Sequence, residues 1–247
     1  MTSLRRTGAH HEANRAQSNI VGVALLLGIG VVAIGLLTAS VGGLVNAQLN
    51  AADTAATADG FADIRDSVLA GSNTTHAIRV TDGDVSRTDR TIRILPEGGS
   101  NRTYDADGYV VERGSHAVRF VGGAVVRGER DRAYLVTPSP VSLTGDSVFL
   151  TLPVANPNTT DGFGLGSTSG IRIETERKVT ELPSDTYRVA IETETPVAWE
   201  RTFEEQGFEV SRIDLDGDGV PSVVVTLPED RTLTVARYDY ALEVARG

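Results

Sequence analysis

Asp214-Leu215-Asp216-Gly217-Asp218-Gly219 sets carboxylates at alternate positions and ends on a glycine. A calcium loop takes oxygen ligands at its positions 1, 3 and 5 and needs glycine at 6 for the sharp turn, because Ca²⁺ is a hard ion that prefers oxygen. Position 12 of such a loop would be Val225 here, where the bidentate glutamate belongs, and the flanks read as strands. The segment is therefore not an EF-hand. Two readings stand: a weaker extracellular calcium turn held by Asp214, Asp216 and Asp218, or a polar hairpin. Asp82-Gly83-Asp84 and Asp105-Ala106-Asp107-Gly108 read as turns.

Asn73-Thr74-Thr75, Asn101-Arg102-Thr103 and Asn158-Thr159-Thr160 are N-glycosylation sequons. Asn73, Asn101 and Asn158 all fall in expected loops. For catalysis the sequence offers little. The four histidines are His10, His11, His76 and His116, and no nucleophile elbow, phosphate-cradling loop or HExxH zinc site is present. The absence of cysteine removes disulfides, thiolate zinc sites and thiol nucleophiles together. We expect no enzyme. A net charge of -10 with Lys178 as the only lysine leaves no basic stripe to displace phosphate counterions, which argues against a nucleic-acid partner.

These residues hang on a chain organised around residues 20–45, an uncharged apolar run. A helix rises about 1.5 Å per residue, so roughly 20 apolar residues cross the ~30 Å hydrocarbon core. The run is long enough to span a membrane with some tilt. Residues 1–16 carry Arg5, Arg6 and Arg15 against one acid, Glu12, which keeps this end in the cytoplasm by the positive-inside rule and places the C-terminal part outside. Within the run, Gly35, Ala39 and Gly43 recur at four-residue spacing, as in close helix packing, although glycine is also common in membrane helices generally. Alanines from Ala51 to Ala58 and the apolar series Phe61, Ile64, Val68 and Leu69 extend the helix to about residue 70, where Gly71-Ser72-Asn73 stops it.

Three fates of this segment compete: a cleaved secretory signal ending near Ala39, Ser40 or Ala47, a plain anchor, or a processed pilin helix. The third comes from Asn14-Arg15-Ala16-Gln17-Ser18-Asn19-Ile20-Val21. This resembles the class III signal of archaeal type IV pilin-like proteins. The resemblance implies a cut between Ala16 and Gln17 by a prepilin peptidase, on the cytoplasmic side of the apolar run, so that the helix remains attached. Val21 stands where bacterial pilins have glutamate. The abundance of Asp over Lys, the segments VRFVGGAVVRG and YLVTPSPVS, and the late TPVAWERTFEE together resemble pilin-like proteins of haloarchaea. An ordinary acidic domain from a GC-rich genome would share the composition alone.

From Ala77 the apolar period changes to two, in short segments separated by turn residues. Gly122-Gly123 between two such segments is a hairpin signal. We expect a mainly β protein: a long N-terminal hydrophobic helix, then an antiparallel β-sandwich or barrel-like region with one short late helix. The expected parts are a basic leader at 1–16, the helix and its extension at 17–70, a β-rich region at 71–155, a loop at 156–170 and a second β-rich part at 171–247. The late helix is expected near 196–206, capped by Thr195, with Trp199 and Phe203 packed on the sheet together.

The function expected from these features is a cell-surface pilin-like structural or adhesion subunit, single-pass in the membrane or assembled with other pilin-like subunits. A stationary anchored binding module, with calcium as its only candidate cofactor, is the alternative.

Overall fold

The computed structural model describes residues 11–71, 73–78, 84–113, 116–145, 147–156, 159, 162–164, 169–229 and 231–245. Helix α1 is His11–Ala70, and its described side chains are those of residues 25–38 and 48–70. The chain divides into two compact units, residues 1–49 and 50–247. In the first, the large apolar side chains between Leu25 and Leu37 are 58% to 70% exposed. Among the described residues no helix is long and apolar enough to cross a membrane.

The second unit is mainly β. Its strands are, in order, β1 (Thr74–Ile78), β2 (Asp84–Thr88), β3 (Thr91–Pro96), β4 (Arg102–Asp105), β5 (Gly108–Arg113), β6 (His116–Val121), β7 (Ala124–Arg127) and β8 (Tyr134–Leu135). Then come β9 (Val141–Thr144), β10 (Ser147–Ala155), β11 (Gly162–Gly164), β12 (Ser169–Asp185), β13 (Tyr187–Glu192), β14 (Glu209–Ile213), β15 (Ser222–Thr226) and β16 (Arg231–Ala245). A 3-10 turn at Arg130–Arg132 precedes β8, and helix α2 (Pro196–Glu205) lies between β13 and β14.

These strands make three sheets where a sandwich or barrel was expected. Sheet A runs β1-β12-β16-β10-β9, sheet B β11-β2-β5-β6-β7-β8, and sheet C β14-β15-β13-β3-β4. Strands from either side of residues 156–170 share sheets A and C, β12 with β10 and β13 with β3, while β11, inside the expected loop, joins β2 in sheet B. One pair departs from the antiparallel expectation, since β16 lies parallel to β10. Strands β11 to β15 and helix α2 lie between β10 and β16 in the chain, and the long antiparallel β12–β16 pairing fixes the direction of β16.

Two cores form on opposite faces of sheet A. Val148, Leu150, Leu152, Leu233 and Val235 face the core shared with sheet C and α2. Ile171, Ile173, Tyr238, Tyr240 and Leu242 face the core shared with sheet B and α1. Parity along β16 therefore changes from odd to even between Val235 and Tyr238. The short β7 does the same job between the cores: Ala124 and Val126 enter the first, Val125 the second. A strand buried on both faces reads as a continuous apolar run, which explains AVV.

α1 contributes Ala58, Phe61, Ile64 and Val68 to the second core. Arg65 fixes its rotation by donating from Nε to the Gly123 carbonyl at 2.9 Å. That carbonyl lies in the expected Gly122-Gly123 hairpin turn, where Val121 pairs with Ala124 and φ is +60° and +80°. Both positions demand glycine, because left-handed backbone strains other residues. Space demands it too: a Cβ on Gly123 would lie 2.9 Å from Pro153 Cδ.

Trp199 and Phe203 are buried together with ring centroids 5.9 Å apart. Thr195 does not cap α2 through its side chain. Its Oγ1 lies 3.2 Å from Thr193 Oγ1 instead, while Gly207 closes the helix at φ +83°. β12 also runs far past the expected strand near residues 170–175, because β16 supplies a partner for every polar residue along it up to the irregularity at Leu182.

Candidate functional site

The acidic hairpin joins β14 to β15, whose last registered pair is Ile213 with Ser222. Gly217 and Gly219 take φ of +80° and +90°, as a loop this sharp requires. Asp214 organises it: one carboxylate oxygen accepts the Gly217 N–H at 2.7 Å and the other the Gly219 N–H at 3.1 Å. Asp218 accepts the Val220 N–H at 2.8 Å. The carboxylates of Asp214, Asp216 and Asp218 offer oxygens that lie within 4.8 Å of one another, and all three residues are exposed.

A cation already serves part of this cluster. Arg93 of β3 donates from Nη2 to Asp216 at 2.5 Å, tying the hairpin to a strand two places away in sheet C. This hydrogen bond, ahead of the weaker contributions, holds the Asp216 carboxyl below its ordinary range. Val225 cannot act as a further ligand: it is fully buried, opposite Val189. The donor set fits a weak calcium turn at most, and the loop's own N–H groups fit a self-supporting hairpin equally well.

Asp216 and Asp218 border a cleft of about 370 Å³ whose walls include Arg90, Asp107 and Glu192. Several of its charges are paired. Arg87 donates to Asp107 at 2.5 Å, and Arg90 to Glu194 at 2.5 Å. Glu192, only 3% exposed, accepts from the Thr91 N–H at 3.1 Å and the Thr91 hydroxyl at 2.7 Å. Arg119 reaches Glu194 from sheet B at 3.4 Å. The Arg119–Glu194 contact thus links β6 of sheet B to the end of β13 in sheet C.

Asp107 is thus an ion-pair anchor where the sequence suggested only a turn. Arg87, Arg90, Arg93, Arg119, Glu192 and Glu194 carried no sequence signal, because their partners lie up to 123 residues away. His116 is half-buried and borders a separate cleft of about 540 Å³ beside Arg130 and Arg132. Arg130 is the one non-glycine residue with positive φ among the described residues, at +48°.

Of the remaining sequence candidates, Gly35 is described, and a Cβ there would meet nothing within 4 Å. Arg15, Ala16, Gln17, Ala39 and Gly43 fall on α1, but their side chains lie outside the described residues, as do those of His11 and His76. His10, Asp82, Gly83 and Asn158 lie outside them altogether. Asn73 and Asn101 are exposed.

A family model matches residues 15–243. The chain belongs to DUF7289, a family of unknown function. No curated protein and no solved structure matches it. The DUF7289 match takes in α1 from Arg15 onward and every strand through most of β16, so the helix and the three sheets belong to one family pattern.

In this DUF7289 chain Asp214 holds the hairpin through two accepted N–H groups. Asp214→Ala is expected to cost about 1 kcal/mol, the net worth of exposed hydrogen bonds to a charged acceptor. Denaturant titration should give that loss equally in calcium and in chelator. A loss confined to the calcium series would mean that the loop depends on the ion.

Proposed function

We propose that the chain is a non-enzymatic, membrane-anchored cell-surface subunit of type IV pilin-like character. Removal of residues 1–16 frees its N-terminal helix for assembly with other such subunits, and the β unit faces outward. The observation that carries this reading is α1 itself. Its described stretch from Leu25 to Thr38 bears no charge and leaves its large apolar side chains exposed, whereas Phe61, Ile64 and Val68 on the same helix are buried in the β unit. Bare apolar surface on all sides of a helix calls for lipid or for other helices. The uncharged run of residues 20–45 and the Arg15-Ala16-Gln17 step supply the rest of the support.

The test is the N-terminal residue of the membrane-extracted protein, read by mass spectrometry. Gln17 is the expected start. Met1 or Thr2 would leave a fixed anchor, and a start beyond Val45 a secreted domain. Gly35→Leu is expected to abolish assembly without releasing the protein from the membrane, because a bulky side chain separates closely packed helices.

A second reading, a stationary binding module with a calcium turn, is favoured by the mutual approach of the Asp214, Asp216 and Asp218 carboxylates. It predicts that calcium added after chelation raises the melting temperature, as a ligand of the native state must.

A further inference from the structure

Two arginine contacts fix the direction in which β7 runs along α1. Arg65 reaches the Gly123 carbonyl just ahead of β7, and Arg127, the last residue of β7, donates from Nη2 to the Ala51 carbonyl at 2.8 Å. β7 therefore runs back along α1, from the turn of Arg65 toward the turn of Ala51, and the chain that follows it begins there. His116, at the start of β6, stands at the same end. It shares a small gap with Thr54 and Thr57 of α1, and it borders the 540 Å³ cleft with Arg130 and Arg132. Counted along the continuous helix α1, Ala51 follows Val45, the end of the apolar run, by less than two turns, about 9 Å. In a bilayer the headgroup zone takes up the difference between a ~30 Å hydrocarbon core and a total of ~40–45 Å. A side chain tied to Ala51 is thus within an arginine's reach of that zone.

The side chains at this corner suit such a place. Arg130 and Arg132 are exposed and make no ion pair or side-chain hydrogen bond among the described residues. Arg87, Arg90, Arg93, Arg119 and Arg212 are all paired. Tyr134 stands opposite Arg127 in register, so both leave the same face of sheet B, and Tyr134 is 45% exposed. An apolar ring with a polar tip is what membrane proteins set at headgroup level.

We propose that the corner from Arg127 to Tyr134 is a lipid-facing surface on which the Arg130 and Arg132 guanidiniums bind the phosphates of anionic lipid headgroups. This rests on the anchored reading of α1. A guanidinium presents paired N–H groups that match two phosphate oxygens at once. Arg127, through the Ala51 carbonyl, keeps the turn beside the helix, and Tyr134 adds apolar contact next to it. The chain as a whole carries a charge of -10. At 0.1 M salt, however, charges more than about 10 Å away are largely screened, so the membrane responds to the corner nearest it. There Glu129 and Asp131 stand against three arginines, and Asp131 is within electrostatic reach of Arg212 as well.

The experiment reconstitutes the full chain into vesicles of phosphatidylcholine alone and of phosphatidylcholine with phosphatidylglycerol. Flotation of the vesicles after an alkaline wash first reports whether the chain is anchored. Amide exchange of residues 128–136, read by mass spectrometry, then reports contact with lipid, for the parent and for Arg130→Gln/Arg132→Gln. Neither side chain has a partner in the fold, so the variant is expected to keep the parent's melting temperature, and the comparison of lipids on the parent stands without it. Each arginine near an anionic surface favours the seated state by about fivefold. Exchange of 128–136 is therefore expected to be several-fold slower in the anionic vesicles for the parent, and equal in the two for the variant. A chain washed off the vesicles overturns the anchored reading and the proposal with it. An anchored parent that exchanges equally in both lipids, or a stable variant slowed as much as the parent, overturns the proposal alone. Equal slowing by inorganic phosphate in neutral vesicles would make a free anion the ligand and overturn the role of lipid.

Discussion

Trp199→Ala is expected to lower the free energy of unfolding by about 3–5 kcal/mol, the range for deleting a large aromatic from a closed core. Trp199 is 0% exposed and occupies the middle of the core between sheets A and C. On one side its ring meets Phe203, which in turn meets Phe208 edge-on at 6.1 Å. On another the Gly122-Gly123 turn comes so close that a Cβ on Gly122 would lie 3.4 Å from the indole. Neighbours so constrained cannot collapse into the space left behind, so the cavity persists. Trp199→Phe should behave differently. The indole Nε1 has no hydrogen-bond partner among the described residues, so phenylalanine removes a buried unsatisfied donor along with some volume. Its cost is expected below about 1.5 kcal/mol, as for conservative apolar exchanges in cores. Urea denaturation of the two variants beside the parent checks both figures. Equal losses would mean that the indole nitrogen has a partner and that the polar part of this argument is wrong.

Trp199 was legible in the sequence as a packing residue because its period-four partner Phe203 lies on the same short helix. The β character was legible for the same reason, since alternation within a strand is local. The division into two cores was not. Along β16 the apolar series 233, 235 and then 238, 240, 242 was visible, but its change of parity reads as an irregularity until a second layer is known to cover the other face. The parallel β10–β16 pair was hidden too, because nothing local to either strand encodes direction. At the acidic hairpin the sequence supplied Asp214, Asp216 and Asp218 but not Arg93, which changes the chemistry of the cluster by bringing a resident cation to it. Thr195 shows the opposite failure: a residue type that caps helices well found a nearer partner in Thr193.

Phe61→Ala carries the second large expected effect, again about 3–5 kcal/mol. Phe61 is 0% exposed, its ring 6.4 Å from Phe120, which lies 6.0 Å from Tyr240. These three aromatics come from α1, sheet B and sheet A, so the substitution removes the side chain through which the helix closes that core. The polar ties that remain include Arg65 to the Gly123 carbonyl and Arg127 Nη2 to the Ala51 carbonyl at 2.8 Å. Neither replaces buried apolar area as a source of stability. The loss should therefore fall first on α1: amide exchange between residues 58 and 68 is expected to accelerate more than exchange in β13 or β15. Asp63→Ala, on the exposed side of the same turn, is the control, with an expected change within about 0.5 kcal/mol. The two cores are not independent, because Arg65 holds the very turn that packs on Trp199. Combining Phe61→Ala with Trp199→Ala should accordingly depart from additivity by about 0.5 kcal/mol or more, the behaviour of sites that share a partner. Strict additivity, or a Phe61→Ala cost below about 1 kcal/mol, would mean that α1 lies against the sheets without closing their core.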